Sequence, residues 1–188
     1  METQEYKGLT FEVGCDEHWE PEEEHLGTFI TKSGRYTLGW ETKPDERSIE
    51  AQIKEDLDLP KKKALQDCVG HNSGGILLPV YAYIHGNTAL SFHPFSCPWD
   101  SGMCGWYYVT KKEARDWFVL KPRQKIDWDR VQEVMQTLLD FRQAEINGEV
   151  YQYNVYDVDG ELLDGGSGFS SSDDAEKEAK EFINQIEP

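Results

Sequence analysis

The sequence predicts an α+β fold: an antiparallel sheet of hairpins packed with three or more helices, with a helix-rich C-terminal half. Short β-rich runs separated by turn residues dominate the chain up to residue 110. Patterns of amphipathic helices cluster after that point. Strands and helices do not alternate with glycine-rich phosphate loops between them, so a parallel α/β sheet is not favoured.

The first 70 residues contain three strand candidates. LTFEV (residues 9–13) alternates like a strand, and an acidic loop around Pro21 follows it. GTFIT (27–31) and RYTLGW (35–40) are two further short strands, and the KSG between them has the composition of a hairpin turn. We therefore expect a hairpin over residues 27–40.

Two short helices are expected next. Ile49, Ile53 and Leu57 recur at the spacing of one helical face. The Leu59-Pro60 step ends this helix, because the residue before a proline avoids the α region. Pro60 in turn suits the first turn of a second helix over PKKKALQDC.

The central region predicts a hairpin, a strand and a capped helix. In ILLPVYAYIHGNTALSFH (76–93), two β-rich runs flank a turn at HGN. Pro79 predicts an edge or a bulge there, because proline cannot donate to a ladder. CGWYYVT (104–110) is the next strand, and Thr110 and Glu113 have the spacing of a capping box for the helix KKEARDWF.

The C-terminal region predicts a helix, a hairpin and a second helix. The first helix covers residues 127–144, and its apolar stripe consists of Val131, Val134, Met135, Leu138 and Leu139. The hairpin VYQYNVYDVDGELLDGG turns at Asp159-Gly160 in a type I′ turn. The last helix begins at Ser171 or Ser172. Its buried stripe consists of Ala175, Ala179, Phe182, Ile183 and Ile186.

Acidic residues outnumber basic ones by 36 to 19, which gives the 188 residues a net charge of −17. We predict a single domain with three parts: an acidic N-terminal part (1–70, net −8), an aromatic β core (71–125, net +3) and an acidic helix–hairpin–helix part (126–188, net −12). This charge disfavours direct binding to nucleic acid or to anionic lipid. It favours a basic partner, such as the nucleic-acid groove of another protein. The alternative is that the acidic residues serve only to keep the protein soluble.

No segment predicts export or membrane insertion. The longest apolar run, ILLPVYAYI, is far shorter than the ~20 residues that span a bilayer. METQEYKG lacks the basic and apolar stretches of a signal peptide. We therefore expect a cytoplasmic protein with no membrane partner. Its four cysteines are then reduced: Cys15, Cys68, Cys97 and Cys104.

Two pairs of residues have the donor types of a zinc site. Cys15 and His18 are three residues apart, and so are Cys68 and His71. The roughly 50 residues between the pairs are not typical of a zinc motif. These four residues are therefore only candidate ligands, and no metal or other cofactor is predicted.

Two acidic clusters have the ligand type of a divalent-cation site. The second, in the hairpin, lacks the spacing of an EF-hand loop, and a solvated face or turn is expected for both. As exposed acid they are the candidate residues for binding a partner. They comprise Glu20, Glu22, Glu23, Glu24, Asp157, Asp159, Glu161 and Asp164.

The stretch PFSCPWDSG has the composition of a specific turn between two strands. The predicted turn residues are Cys97, Pro98, Trp99, Asp100, Ser101 and Gly102. We expect the Asp100 side chain to accept nearby backbone N–H groups. Cys97 with His85 or His93 has the elements of a thiolate–imidazolium pair, and Cys97 with Cys104 those of a two-cysteine clamp. A lone buried thiol is commoner than either, so no catalytic residue is predicted.

Four aromatic residues in and after this turn are candidates for sheet core or for a protein interface: Trp99, Trp106, Tyr107 and Tyr108. Core is favoured. Alternation along a strand would bury only half of them.

Residues 74–115, which include LLPVY and PFSCPWDSG, resemble the central signature of a family of small acidic proteins of phages and other mobile elements. LGT (26–28) and RYTLG (35–39) are similar to its N-terminal part, and NGEVYQYNVYDVDGELLD (147–164) to its C-terminal hairpin. Cys15, His18 and Cys104 are not part of the family pattern, which disfavours a zinc site. The resemblance implies mobile-element biology, with no established enzymatic activity.

The leading hypothesis is a non-enzymatic phage or mobile-element protein that inhibits a host defence nuclease, such as a CRISPR effector or a restriction enzyme. Its carboxylates would replace the phosphates of nucleic acid against a basic site of the host protein. The alternatives are a metal-binding or cysteine-dependent enzyme, and a virion or replication accessory protein with no inhibitory role. The sequence gives no prediction of the oligomeric state.

Overall fold

Two compact units make up the chain. The computed structural model describes three stretches: residues 1–19, 25–34 and 37–186. The first unit combines both ends of the chain, Met1–Glu22 and Asp140–Pro188, and the second is continuous, Glu23–Leu139. The described residues contain four α-helices, one antiparallel sheet and one mixed sheet. The α+β prediction, with its antiparallel hairpins and C-terminal helices, is confirmed.

The first unit is a four-stranded antiparallel sheet with a helix packed on it. Its strands, in spatial order, are β1 (Glu2–Tyr6), β2 (Leu9–Cys15), β9 (Tyr151–Tyr156) and β10 (Leu162–Phe169). The helix α4 (Ser172–Ile186) contacts β2, β9 and β10. The core between them consists of Phe11, Val13, Tyr153, Val155, Ala175, Ala179 and Ile183.

The helix α4 begins where the sequence predicts. The Ser171 hydroxyl accepts the N–H of Asp174 at 3.2 Å, as a helix N-cap does. Three predicted stripe residues are fully buried: Ala175, Ala179 and Ile183. Phe182 packs beside them partly buried. Ile186 is 45% exposed, so its predicted burial is wrong, because it lies in the last turn of the helix where no described element covers it.

The β9–β10 hairpin forms, but its predicted type I′ turn is wrong. Gly160 has a φ of +82°, whereas Asp159 is not in the left-handed region. The Gly160 N–H donates to the Asp157 carbonyl at 3.1 Å, and the Asp157 N–H donates to the Glu161 carbonyl at 2.9 Å. This pattern is that of a type I turn followed by a glycine bulge. The Asp157 carboxylate selects this longer loop by accepting the N–H groups of Asp159 at 2.9 Å and Glu161 at 2.8 Å.

The second unit is built on a mixed sheet. Its path runs through β4 (Glu41–Lys43), β3 (Thr28–Lys32), β8 (Ser101–Thr110), β6 (Gly75–His85) and β5 (Gly70–His71). The strand β7 (Asn87–Ser91) pairs with β6 and forms the predicted hairpin, turning at Gly86 with a φ of +84°. All these pairs are antiparallel except β3–β4.

The predicted hairpin over residues 27–40 is wrong. GTFIT forms β3, but residues 37–40 are not a strand, and Arg35 and Tyr36 lie outside the described residues. The chain instead returns as β4, parallel to β3. The reason is aromatic packing: the Trp40 ring lies 5.2 Å from that of Tyr107 and 6.0 Å from that of Phe29, so this segment packs onto the sheet and not into its ladder.

The first predicted helix of this unit is α1 (Glu46–Asp56), with Ile49 and Ile53 buried. The Asp45 carboxylate caps it by accepting the Ser48 N–H at 2.9 Å. The second predicted helix, PKKKALQDC, is reduced to a 3₁₀ turn at Leu65–Cys68. The Lys54 ammonium donates to the Lys61 carbonyl at 2.8 Å. This hydrogen bond holds the Lys61 carbonyl in a turn.

The remaining helices follow the sequence closely. The capping box predicted for α2 (Lys111–Trp117) is confirmed, because the Thr110 hydroxyl accepts the Glu113 N–H at 3.2 Å and the Glu113 carboxylate accepts the Thr110 N–H at 2.7 Å. The helix α3 (Trp128–Asn147) runs three residues beyond the predicted 127–144 and ends before Gly148, which has a φ of +68°. Its fully buried stripe residues are Val131, Met135 and Leu139, and Val134 and Leu138 are half-buried.

The strand β8 is buried on both faces from Gly105 to Val109. Trp106, Tyr107 and Tyr108 are consecutive and at most 7% exposed. Tyr107 packs against Phe29 and Phe92, whereas Trp106 and Tyr108 belong to the cluster that includes α1. These three residues therefore belong to the core, as favoured, and not to an exposed interface. The expectation that alternation would bury only half of the aromatic residues is wrong for them, because both faces of the sheet are covered here.

Pro79 lies next to a bulge, as predicted, because the register between β6 and β8 shifts between Val80 and Tyr81. On the other side of β6, pairing with β5 stops at Leu77 and pairing with β7 starts at Tyr81. Pro79 therefore falls in a gap of the ladder, where a missing donor costs least.

None of the helices in the described part of the chain combines the length and apolar character that crossing a membrane requires.

Tyr107→Phe is expected to lower the free energy of unfolding by about 1–2 kcal/mol, since a buried carbonyl loses its donor. The Tyr107 hydroxyl donates to the Leu26 carbonyl at 2.7 Å in the buried interior. Urea denaturation measures the difference. The control is Tyr83→Phe, whose hydroxyl donates no hydrogen bond to the described residues and which should change stability by less than about 0.5 kcal/mol. Equal effects of the two variants would contradict a role for this bond.

Candidate functional site

Negative charge is concentrated in the first unit. That unit contains 20 acidic and 4 basic residues, a net charge of −16, whereas the second contains 16 acidic and 15 basic residues, a net charge of −1. Both predicted acidic parts, 1–70 and 126–188, contribute residues to the first unit, because β2 pairs with β9. The chain therefore consists of one strongly acidic unit and one nearly neutral unit. We call them the acidic unit and the neutral unit.

The four predicted partner-binding acids of the β9–β10 hairpin have two different roles. Asp157 holds the loop through the two amide bonds described above. Asp164 accepts the hydroxyl proton of Tyr153 at 2.6 Å. Burial, together with this hydrogen bond, raises the pKa of Tyr153. Asp159 and Glu161 are exposed, so these two present their carboxylates to solvent.

The same hairpin exposes apolar side chains that the sequence analysis missed. Val158 is 83% exposed, Leu162 60% and Leu163 42%. In a strand with one buried face, only one of two adjacent leucines is expected to be exposed. The Leu-Leu step directly after the turn was therefore the sequence feature that could have indicated exposed apolar surface here. The hairpin tip therefore combines carboxylates with exposed apolar side chains.

The helix α4 adds a second row of acid to the same unit. The exposed acids on it are Asp173, Asp174, Glu178 and Glu181. Lys177 lies 3.6 Å from Glu181 on the surface. Hydrogen bonds from Lys180 and then Gln4 hold the pKa of Glu176 below its usual range. Even with these two lysines, acid predominates on the helix.

The predicted N-terminal acids Glu20, Glu22, Glu23 and Glu24 lie outside the described residues. Asp16, directly after β2, precedes them in the chain. Its carboxylate accepts the Ser167 hydroxyl at 2.5 Å and the His18 N–H at 2.9 Å. These two bonds hold the pKa of Asp16 below its usual range, and the first of them ties the end of β2 to β10.

The residues of the candidate zinc pairs are divided between the units. Cys15 and His18 belong to the acidic unit, and Cys68 and His71 to the neutral unit. Cys68 is buried in the apolar cluster beneath α1, and the His71 ring lies 4.7 Å from that of Trp128. No group of three or more potential metal ligands occurs among the residues that the structure describes.

The PFSCPWDSG segment connects β7 to β8 as predicted, with a turn at residues 98–100. Ser101 and Gly102 are a correction, because they are the first two residues of β8. The Asp100 carboxylate is also a correction: its partners are the His85 ring nitrogen Nδ1 at 3.3 Å and the Cys97 thiol at 3.9 Å, and not backbone N–H groups. The Ser101 hydroxyl donates to the Cys97 carbonyl.

The turn places its residues differently from a thiol active site. Asp100 contacts both Cys97 and His85, so the thiol faces a carboxylate where a thiolate–imidazolium pair needs an imidazole. Trp99 sits at the tip and is 91% exposed, in contrast to the three buried aromatic residues of β8. Cys104 is separate from the turn, and its thiol donates to the Val80 carbonyl at 3.4 Å.

Comparison with known proteins gives no relative from which a role can be transferred. No protein-family model, no curated protein and no solved structure matches the chain.

Asp157→Ala is expected to destabilise the protein by about 1–2 kcal/mol, because two loop N–H groups lose their acceptor. Asp159→Ala removes a neighbouring charge without any of these bonds and should stay within about 0.5 kcal/mol. Thermal unfolding of the two variants side by side measures the contrast. A loss of stability common to both would mean that charge, and not loop geometry, controls the hairpin.

Ser167→Ala is expected to move the pKa of Asp16 up toward its ordinary 3.8, because the largest cause of its depression is removed. A depressed folded-state pKa stabilises the protein above the unfolded-state pKa, and this contribution is lost as the pH falls through the folded-state value. NMR titration of the Asp16 carboxyl measures the shift, with Ser170→Ala, an exposed serine directly after β10, as the control. An unchanged Asp16 titration in Ser167→Ala would contradict the assignment.

Proposed function

We propose that the protein acts by binding and not by catalysis, and that its acidic unit occupies a basic, nucleic-acid-binding site on a partner protein. One observation carries the proposal: the acidic unit has a net charge of −16 and the neutral unit a net charge of −1. Acid that serves only solubility has no need to be gathered in one folding unit. Charge at this density opposes nucleic acid and attracts the basic grooves that bind it.

The exposed carboxylates supply the chemistry of such a contact. Asp159 and Glu161 on the hairpin, with Glu178 and Glu181 on α4, are exposed. Carboxylates can replace phosphates as acceptors for Arg and Lys, with charge-assisted hydrogen bonds. The apolar side chains Val158 and Leu162 beside them add desolvated contact area.

The partner class follows from the resemblance of residues 74–115 to proteins of phages and mobile elements. Such an element benefits from blocking the nucleases that attack it. We therefore place the partner among host defence nucleases, such as CRISPR effectors or restriction enzymes, in the cytoplasm of a bacterial host.

The test compares two variants that lose the same charge from different units. The first replaces four acids of the acidic unit: Asp159→Asn, Glu161→Gln, Glu178→Gln and Glu181→Gln. The second replaces four exposed acids of the neutral unit: Glu55→Gln, Asp58→Asn, Asp129→Asn and Glu133→Gln. Both change the net charge equally, so only the location of the acid differs.

Wild type and both variants are used as bait for bacterial nucleases, with duplex DNA as the competitor. Wild type should retain a nuclease that DNA displaces, with retention that weakens as salt rises. The variant of the acidic unit should bind at least about tenfold more weakly, and the variant of the neutral unit like wild type. Equal weakening by both variants, or retention that DNA leaves unchanged, would overturn the proposal.

A further inference from the structure

The strand β8 extends beyond its neighbour on one side. The strand β3 pairs with it only from Gly105 to Tyr108. Between Ser101 and Met103, β8 pairs with β6 alone. Directly after β3, the Ser33 N–H donates to the Lys43 carbonyl at 2.7 Å, on the side of β4. Within the described stretches, no strand pairs with this segment of β8 on the side away from β6, so its outward N–H and C=O groups form a short free edge.

A cleft of about 460 Å³ opens at this free edge. Met103, Cys104 and Trp106 of β8 line it, together with Ile49 of α1 and Leu65 of the 3₁₀ turn. Its volume is in the range of small binding pockets. Met103 is 42% exposed, whereas Trp106 is only 7% exposed.

The indole of Trp106 brings an unused donor to the cleft. The indole N–H of Trp106 makes no hydrogen bond with the described residues. Every fully buried side-chain nitrogen or oxygen atom of the described residues, however, has a hydrogen-bond partner. This N–H must therefore lie in the small accessible part of the side chain, and Trp106 is one of the residues that line the cleft. The Cys104 thiol differs, because it already donates to the Val80 carbonyl and burial raises its pKa to about 12.

The charged residues around the cleft already have partners. Glu50 lies 2.6 Å from the Lys54 ammonium, and Glu46 lies 3.9 Å from that of Lys32. The cleft therefore does not require a charged ligand. It requires an apolar group to fill it, an acceptor for the indole N–H, and backbone groups that match the free edge of a strand.

We propose that this cleft and edge bind an extended peptide segment of a partner protein, added as a strand in line with β3. An extended chain supplies N–H and C=O groups at the strand repeat, and alternate side chains point to one face. One apolar side chain would enter the cleft over Trp106, and a peptide carbonyl would accept the indole N–H. This site belongs to the neutral unit and is independent of the acidic surface proposed above.

The experiment selects a display library of random 12-residue peptides on the full-length chain. Enriched peptides are then titrated into the ¹⁵N-labelled protein. The Trp106 indole signal, assigned with Trp106→Phe, should shift, and the amides of residues 101–104 should gain protection from hydrogen exchange. Peptides N-methylated at alternate residues should lose binding, because they cannot pair with the edge.

Two exposed residues give matched variants. Met103→Lys places a charge at the edge and should weaken the enriched peptides about tenfold or more, since edge lysines block strand pairing. Val119→Lys makes the same kind of change at an 87% exposed position outside the cleft and should leave binding unchanged. The four-acid variant of the acidic unit should also bind these peptides normally, which separates this test from that of the proposed function. Failure to enrich any peptide, binding that survives N-methylation, or insensitivity to Met103→Lys would overturn the proposal.

Discussion

The antiparallel pairing of β2 with β9 is the constraint on which the acidic unit depends. It joins Phe11 to Val155 and Val13 to Tyr153 in register, and these four residues form the centre of the core that α4 covers. Without it, the N-terminal hairpin β1–β2 and the C-terminal hairpin β9–β10 are separate two-stranded ribbons, which are marginally stable in water. The concentration of charge therefore follows from one apolar contact surface, which holds together chain ends that repel each other.

The neutral unit depends on a different structural feature, the buried strand β8. The strand β8 is covered on both faces, so three consecutive aromatic residues are buried in it, and the two tyrosine hydroxyls need partners inside the protein. Tyr107 donates to the Leu26 carbonyl at 2.7 Å, and Tyr108 to the Asp56 carboxylate at 2.5 Å. These bonds link β8 to the chain before β3 and to the end of α1. The same strand carries the free edge and the floor of the cleft, so a rigid element positions that site.

The sequence predicted elements with strong local signals and failed where tertiary contacts decide. The capping box of Thr110 and Glu113 and the stripe of α3 are local, and both formed. The strand β1 was missed because ETQEY is polar and belongs to a sheet edge, where burial gives no pattern. The type I′ turn at Asp159 failed because the Asp157 side chain stabilises a longer loop. The candidate acids were found by composition, but only coordinates could separate Asp157 and Asp164, which hold the hairpin, from Asp159 and Glu161, which do not.

Because the acidic unit is made from both ends of the chain, its assembly is tied to the time of synthesis. Val13 pairs with Tyr153, about 140 residues later. At the usual rate of translation, roughly 5–20 residues per second, β2 waits on the order of 7–28 seconds for its partner strand to be made. The continuous neutral unit can fold during that interval. A chain interrupted before β9 therefore lacks the assembled acidic surface, and its first apolar strand stays without a partner.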